Sequence, residues 1–137
     1  MTPRDQNVRT WSMFCHLSAL LGLFWWPGIV LGPLIVWQIK KNELPEIDPH
    51  GKEALNFQLT IVILYFIAKI VLGIIAGIVF GIGLLWGSPF AFWGGGFGIL
   101  SIPGLIILVA IILAVIAGIK ANNGEPYKYP FSIKFVK

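Results

Sequence analysis

A lysine stands inside the longest apolar run of this chain. Lys69 has Tyr65 one turn before it, and Gly73, Gly77 and Gly81 follow at four-residue steps. Four-residue steps nearly repeat the α-helix, so all five residues share one helical face. A charge and a glycine stripe on that face belong against protein rather than lipid, because small residues let helix backbones approach closely. An unpaired ammonium at mid-membrane costs on the order of 3 kcal/mol. No carboxylate lies in the apolar interior of any run to neutralise it. Two readings stand side by side: Lys69 faces a polar cavity, or it snorkels along Tyr65 to the headgroups. His16, Gln38 and the backbone at Gly32-Pro33 are the other candidate partners.

The remaining polar residues point less sharply to chemistry. His50, Glu53, Asn56 and Gln58 open the third apolar run and form a candidate interface cluster on the cytoplasmic side. Residues at such a place ordinarily satisfy the helix end and its dipole. With two histidines in the whole chain, no convergent metal-ligand set is legible and none is expected. Cys15 is the only cysteine, which rules out an intramolecular disulfide and fits a buried small hydrophobe. Gly94-Gly95-Gly96 lacks the Lys-Ser/Thr of a phosphate loop and reads as a turn. No nucleophile and base are suitably spaced, so the chain is expected not to be an enzyme and to carry no cofactor.

What must position these residues is lipid-embedded helix. The 137 residues are 57% hydrophobic and 12% charged, with mean hydropathy +0.84. A soluble domain carries about a quarter charged residues. The net charge of +4 is scattered along the chain, which argues against nucleic-acid binding. Four helices are expected, at about 8–25, 28–40, 49–86 and 98–120, with a tail over 121–137. Asp48 reads as the N-cap of the third helix, with Pro49 at its first position. Phe90 to Gly98 reads as a glycine-rich turn. Ala110, Ala114 and Gly118 make a second small-residue row.

The first two apolar stretches meet at Trp25-Trp26-Pro27-Gly28 and form either one kinked span or a short hairpin. Charge decides between them. A hairpin places Arg4, Arg9, Lys40, Lys41, Lys52, Lys120, Lys128, Lys134 and Lys137 on one side, as the positive-inside rule favours. The expected fold is therefore all-α: a polytopic integral membrane bundle of four helices with a short N-terminal helical hairpin. Both termini are cytoplasmic, and the location is the inner membrane. The hairpin arms are too short for a core about 30 Å thick, so they thin the bilayer or enter without crossing fully.

His16-Leu17-Ser18, Gly32-Pro33-Leu34-Ile35, Lys40-Lys41 and above all the segment from His50 to Gln58 resemble a bacterial family of unknown function. That family is grouped with the plastid inner-envelope protein Tic20, and the likeness runs from about Trp11 to Lys120. The resemblance implies a four-helix inner-membrane protein with cytoplasmic termini. It also implies, by analogy of fold alone, a role beside a translocating polypeptide.

The function expected on these grounds is non-enzymatic binding of another membrane protein or a translocating polypeptide. The alternative is a small-solute or ion pathway formed by a homo-oligomer. The expected partners are the lipid bilayer and a membrane-protein partner or further copies of the chain. Nucleic acid is not among them.

Overall fold

The structure, a computed structural model, describes the backbone of residues 1–85 and 90–137 and the side-chain surroundings of 1–79, 81–82, 85 and 102–137. The described residues are mostly helical, with no strand among them. Helix α1 is Pro3–Leu17, α2 is Gly28–Lys40, α3 is Asp48–Leu85 and α4 is Phe90–Asn122. A 3₁₀ segment over Ser18–Leu23 follows α1, and a shorter one over Pro45–Ile47 precedes α3. The chain divides into two compact units. One comprises Met1–Thr60 with Ala110–Lys137, and the other Ile61–Val109.

In the first unit, α1 begins at Pro3, earlier than the expected position 8, because a capping box starts it there. The Thr2 hydroxyl accepts from the Asp5 amide at 3.1 Å, and the Asp5 carboxylate accepts from the Thr2 amide at 2.9 Å. The α-helix stops at Leu17, and the apolar residues after it continue as the tighter 3₁₀ turn. Helix α2 then returns along that turn and along α1, which makes the hairpin that the charge pattern called for. Its arms meet closely. A methyl on Gly32 would overlap the Ser18 carbonyl, and one on Gly28 would lie 2.9 Å from the Leu21 carbonyl oxygen. Pro33 is buried within α2, and at 13 residues this helix is about 20 Å long.

Asp48 takes helical angles (φ −54°, ψ −45°) and so belongs to α3 instead of capping it. Its carboxylate accepts from the Trp37 indole at 2.9 Å and pairs with Lys52 at 2.6 Å. Trp37 lies against Gly51, and the two tie α2 to the first turn of α3. Around this joint Cys15, Trp37, Leu44, Ile47 and Leu55 form the core, packed on by Trp11, Leu34 and Val136. Cys15 is fully buried, and burial pushes its thiol up to about 12. The small residues of α4 also belong to this unit: Ala110, Ala114, Ala117 and Ala121 are buried, and Gly118 packs on Leu17. This row therefore faces the hairpin.

In the second unit, α3 and α4 expose isoleucine, leucine and valine on nearly every side, among them Ile67, Ile74, Ile78, Leu105 and Val109. The stretches Pro45–Val79 and Ile102–Asn122, with mean hydropathies of 2.7 and 3.0, are long and apolar enough to cross a membrane. Only 6% and 28% of their apolar windows are buried. The core helix of a soluble protein would be largely covered, so these two are candidate membrane spans. Residues 86–89 lie outside the described residues, and with them the expected helix end at Trp86. The turn expected over Phe90 to Gly98 is instead the start of α4. Glycine is well tolerated in membrane helices, where interspersed apolar residues favour internal hydrogen bonding.

Candidate functional site

The first turns of α3 place His50, Glu53, Asn56, Phe57 and Thr60 at three- and four-residue steps, so these side chains form one face. That face holds the chain's own tail. The Tyr129 amide donates to Glu53 Oε1 at 2.8 Å, and the Ile133 amide donates to Thr60 Oγ1 at 3.0 Å. Asn56 makes the tightest hold. Its Oδ1 accepts from the amides of Phe135 (3.0 Å) and Val136 (2.7 Å), while its Nδ2 donates to the Val136 carbonyl at 2.9 Å. A single amide side chain thus replaces the backbone partner that an irregular segment lacks. The Tyr129 ring stacks on Phe57 at 3.9 Å, with the planes 7° apart. We call residues 127–137 the strap.

Beneath the strap lies an imidazole pair, His16 fully buried and His50 half-buried. His16 Nδ1 is 3.0 Å from the Tyr129 hydroxyl, and His16 Nε2 is 3.2 Å from His50 Nδ1. One proton arrangement satisfies the row: Tyr129 donates to His16 Nδ1, and His16 Nε2–H donates to His50 Nδ1. Burial, reinforced by Tyr127 and Glu53, pushes the Tyr129 phenol above its ordinary range and keeps it a donor. Helix α1 lies outside the two spanning stretches, and burial there, with His50 beside it, lowers His16 to about 3. The imidazole is therefore neutral in the fold.

The sign of the pH dependence follows. Between pH 6.5 and 3 the unfolded chain binds a proton that folded His16 refuses. Stability is complete above about pH 6.5 and falls on acidification, by about 1 kcal/mol per pH unit for this one group. Thermal unfolding in detergent should show Tm dropping from pH 6.5 to 4.5, with a shallower drop in His16→Asn. A flat wild-type profile would contradict a buried neutral His16.

Of the residues singled out in the sequence, His16, His50, Glu53 and Asn56 come together in this clasp. Gln58 points elsewhere. It is buried beside a cavity of about 10 Å³, room for one water, lined by Ala19, Leu20, Ile29, Ala110 and Ala114. Its Oε1 finds no partner there among the described residues. Lys69 is exposed, and its ammonium sits 5.3 Å from the centre of the Tyr65 ring, one turn toward the start of α3. Gly73, Gly77 and Gly81 are open: a methyl added at any of them meets no atom of the described residues within 4 Å. Tyr129 and Thr60 were not anticipated. The i, i+4 pair Asn56/Thr60 and the tyrosines at 127 and 129 were the available signals.

Two lipid-length helices with a short hairpin and a clasped polar tail define a small helical membrane protein. The family model of MamF/MmsF, the magnetosome magnetite crystal formation protein family, matches residues 7–136, and the chain belongs to this family. It is thus a small membrane protein of a family concerned with magnetite formation in the magnetosome. Comparisons with curated proteins and with solved structures return no match. The match corrects the Tic20-like resemblance. The specific segment of that resemblance, His50 to Gln58, supplies the face that holds the strap, and the rest lay in apolar stretches that unrelated membrane helices share.

Proposed function

We propose that this protein serves magnetosome magnetite formation as a non-enzymatic, multi-pass membrane component that binds another membrane-spanning helix through α3. Both termini lie on the cytoplasmic side, where the basic residues outside the spans collect. The carrying observation is the open face of α3, where the glycine row starts one turn beyond Lys69 and none of the described residues covers it. The hydrocarbon of the bilayer offers no hydrogen bond to an ammonium and gains little from a glycine groove. A neighbouring helix offers both backbone carbonyls and close packing. The residues best suited to chemistry are occupied, His16, Glu53 and Asn56 with the strap and His50 with His16, which supports binding over catalysis. The polypeptide-translocation reading rested on the Tic20 resemblance and falls with it.

A substitution pair tests this reading. Gly77→Leu has room in the isolated chain, so its thermal unfolding in detergent should match the wild type. Its association in native membranes should fall several-fold, because a leucine in place of the glycine keeps a facing helix from close approach. Cysteine crosslinking from Gly77→Cys reads association directly, and the mass of the product tells a second copy from another protein. Monomer alone in native membranes would overturn the proposal.

A further inference from the structure

The strap has an outer side that the clasp does not use. Its path is a dip and return: Tyr129 is held at Glu53, Ile133 at Thr60 two turns further along α3, and Val136 back at Asn56. The lowest part of the dip, from Phe131 to Ile133, therefore lies beside Thr60. Beyond Thr60 and Ile61, α3 exposes Ile63, Leu64 and Ile67. Phe131 is 91% exposed, and Ile133 and Phe135 are 54% and 47% exposed. Phe131 also takes φ 60°, a left-handed conformation unfavourable for a bulky side chain, and this turns the strap at the bottom of its dip. Lys128, Lys134 and Lys137 flank these apolar groups, all exposed, with no acidic residue after Glu125.

We propose that the strap is a lipid-binding anchor: Phe131, Ile133 and Phe135 enter the bilayer interface, and Lys128, Lys134 and Lys137 bind anionic phospholipid headgroups. Exposed aromatic and aliphatic groups interleaved with lysine are the chemistry of an interfacial anchor. In water, three large apolar side chains and a strained phenylalanine have no compensation. At the edge of the hydrocarbon they bury apolar area, and each lysine adds its attraction to a negative surface. The clasp fixes the depth of the anchor, so the strap also sets how far α3 sinks into its leaflet. This inference is independent of the partner proposed for the glycine face and needs only lipid.

The test uses the full chain carrying Phe131→Cys, labelled with an environment-sensitive fluorophore. Cys15 is fully buried and does not compete for the label. Glu125→Cys serves as the water-exposed control. In phosphatidylcholine–phosphatidylglycerol vesicles the probe at 131 should be protected from aqueous iodide and quenched by lipids brominated near the headgroup. Replacing Lys128, Lys134 and Lys137 by glutamine should raise the iodide-accessible fraction about fivefold per lysine, equivalent to ~1 kcal/mol each at an anionic surface. Pure phosphatidylcholine should have a similar effect on the unmodified strap. Slow exchange of the Ile133 and Val136 amides shows that the clasp is intact in each variant. Iodide quenching at 131 equal to that at 125, or quenching indifferent to lipid charge with the clasp intact, would overturn the proposal.

Discussion

Gly32→Ala should be the most damaging single methyl added to this protein, lowering the unfolding free energy by about 3 kcal/mol. The added Cβ would overlap the carbonyl of Ser18, and that carbonyl belongs to the 3₁₀ turn that reverses the chain. Backbone cannot step aside as a flexible side chain can, so α2 must move off the turn. Pro33 follows immediately and is itself buried, which leaves no rotation of α2 that relieves the clash. Thermal unfolding in detergent measures the loss. Gly73→Ala, on the open face of α3, is the control and should leave Tm unchanged. Equal effects from the two substitutions would mean that the hairpin is not packed as described.

Asn56→Ala should release the end of the strap. It removes all three hydrogen bonds that Asn56 makes to Phe135 and Val136 and leaves a small void. At about 1 kcal/mol net for each bond, the local loss is roughly 3 kcal/mol, a hundredfold or more in opening. Amide exchange at Phe135 and Val136 should accelerate accordingly, while that in the middle of α2 should not. Asn56→Asp keeps the acceptor and loses the donor to the Val136 carbonyl, so its effect should fall between the two. Unchanged exchange in Asn56→Ala would show that the strap is held by its side chains and not by this amide.

The parts of this architecture legible in the sequence are those with a periodic or charge signature. Hydropathy located α2, most of α3 and the later part of α4, and the distribution of lysines and arginines outside the apolar runs pointed to the hairpin. The alanine row of α4 was visible at its four-residue spacing, although the hairpin as its neighbour was not. The early start of α1 was readable in Thr2-Pro3-Arg4-Asp5, a capping box with proline at the first helical position, but it lies outside the apolar run. The clasp was half legible. His50, Glu53 and Asn56 stood out as polar groups at an apolar helix start, yet what they bind is mainly backbone, which is identical at every position. His16 and Tyr129 are 113 residues apart, and no local pattern joins them. Glycine content misled at Phe90–Gly98, where lipid changes what glycine does to a helix.

The clasp also orders events during synthesis. Asn56 leaves the ribosome 80 residues ahead of Val136, and Thr60 leaves 73 ahead of Ile133. At about 5–20 residues per second the delay is roughly 4 to 16 seconds, long against helix formation and membrane insertion. Through that interval the polar stripe of α3 must be kept wet or borrowed by another molecule, and closure comes as a final locking step after α4 has been translated.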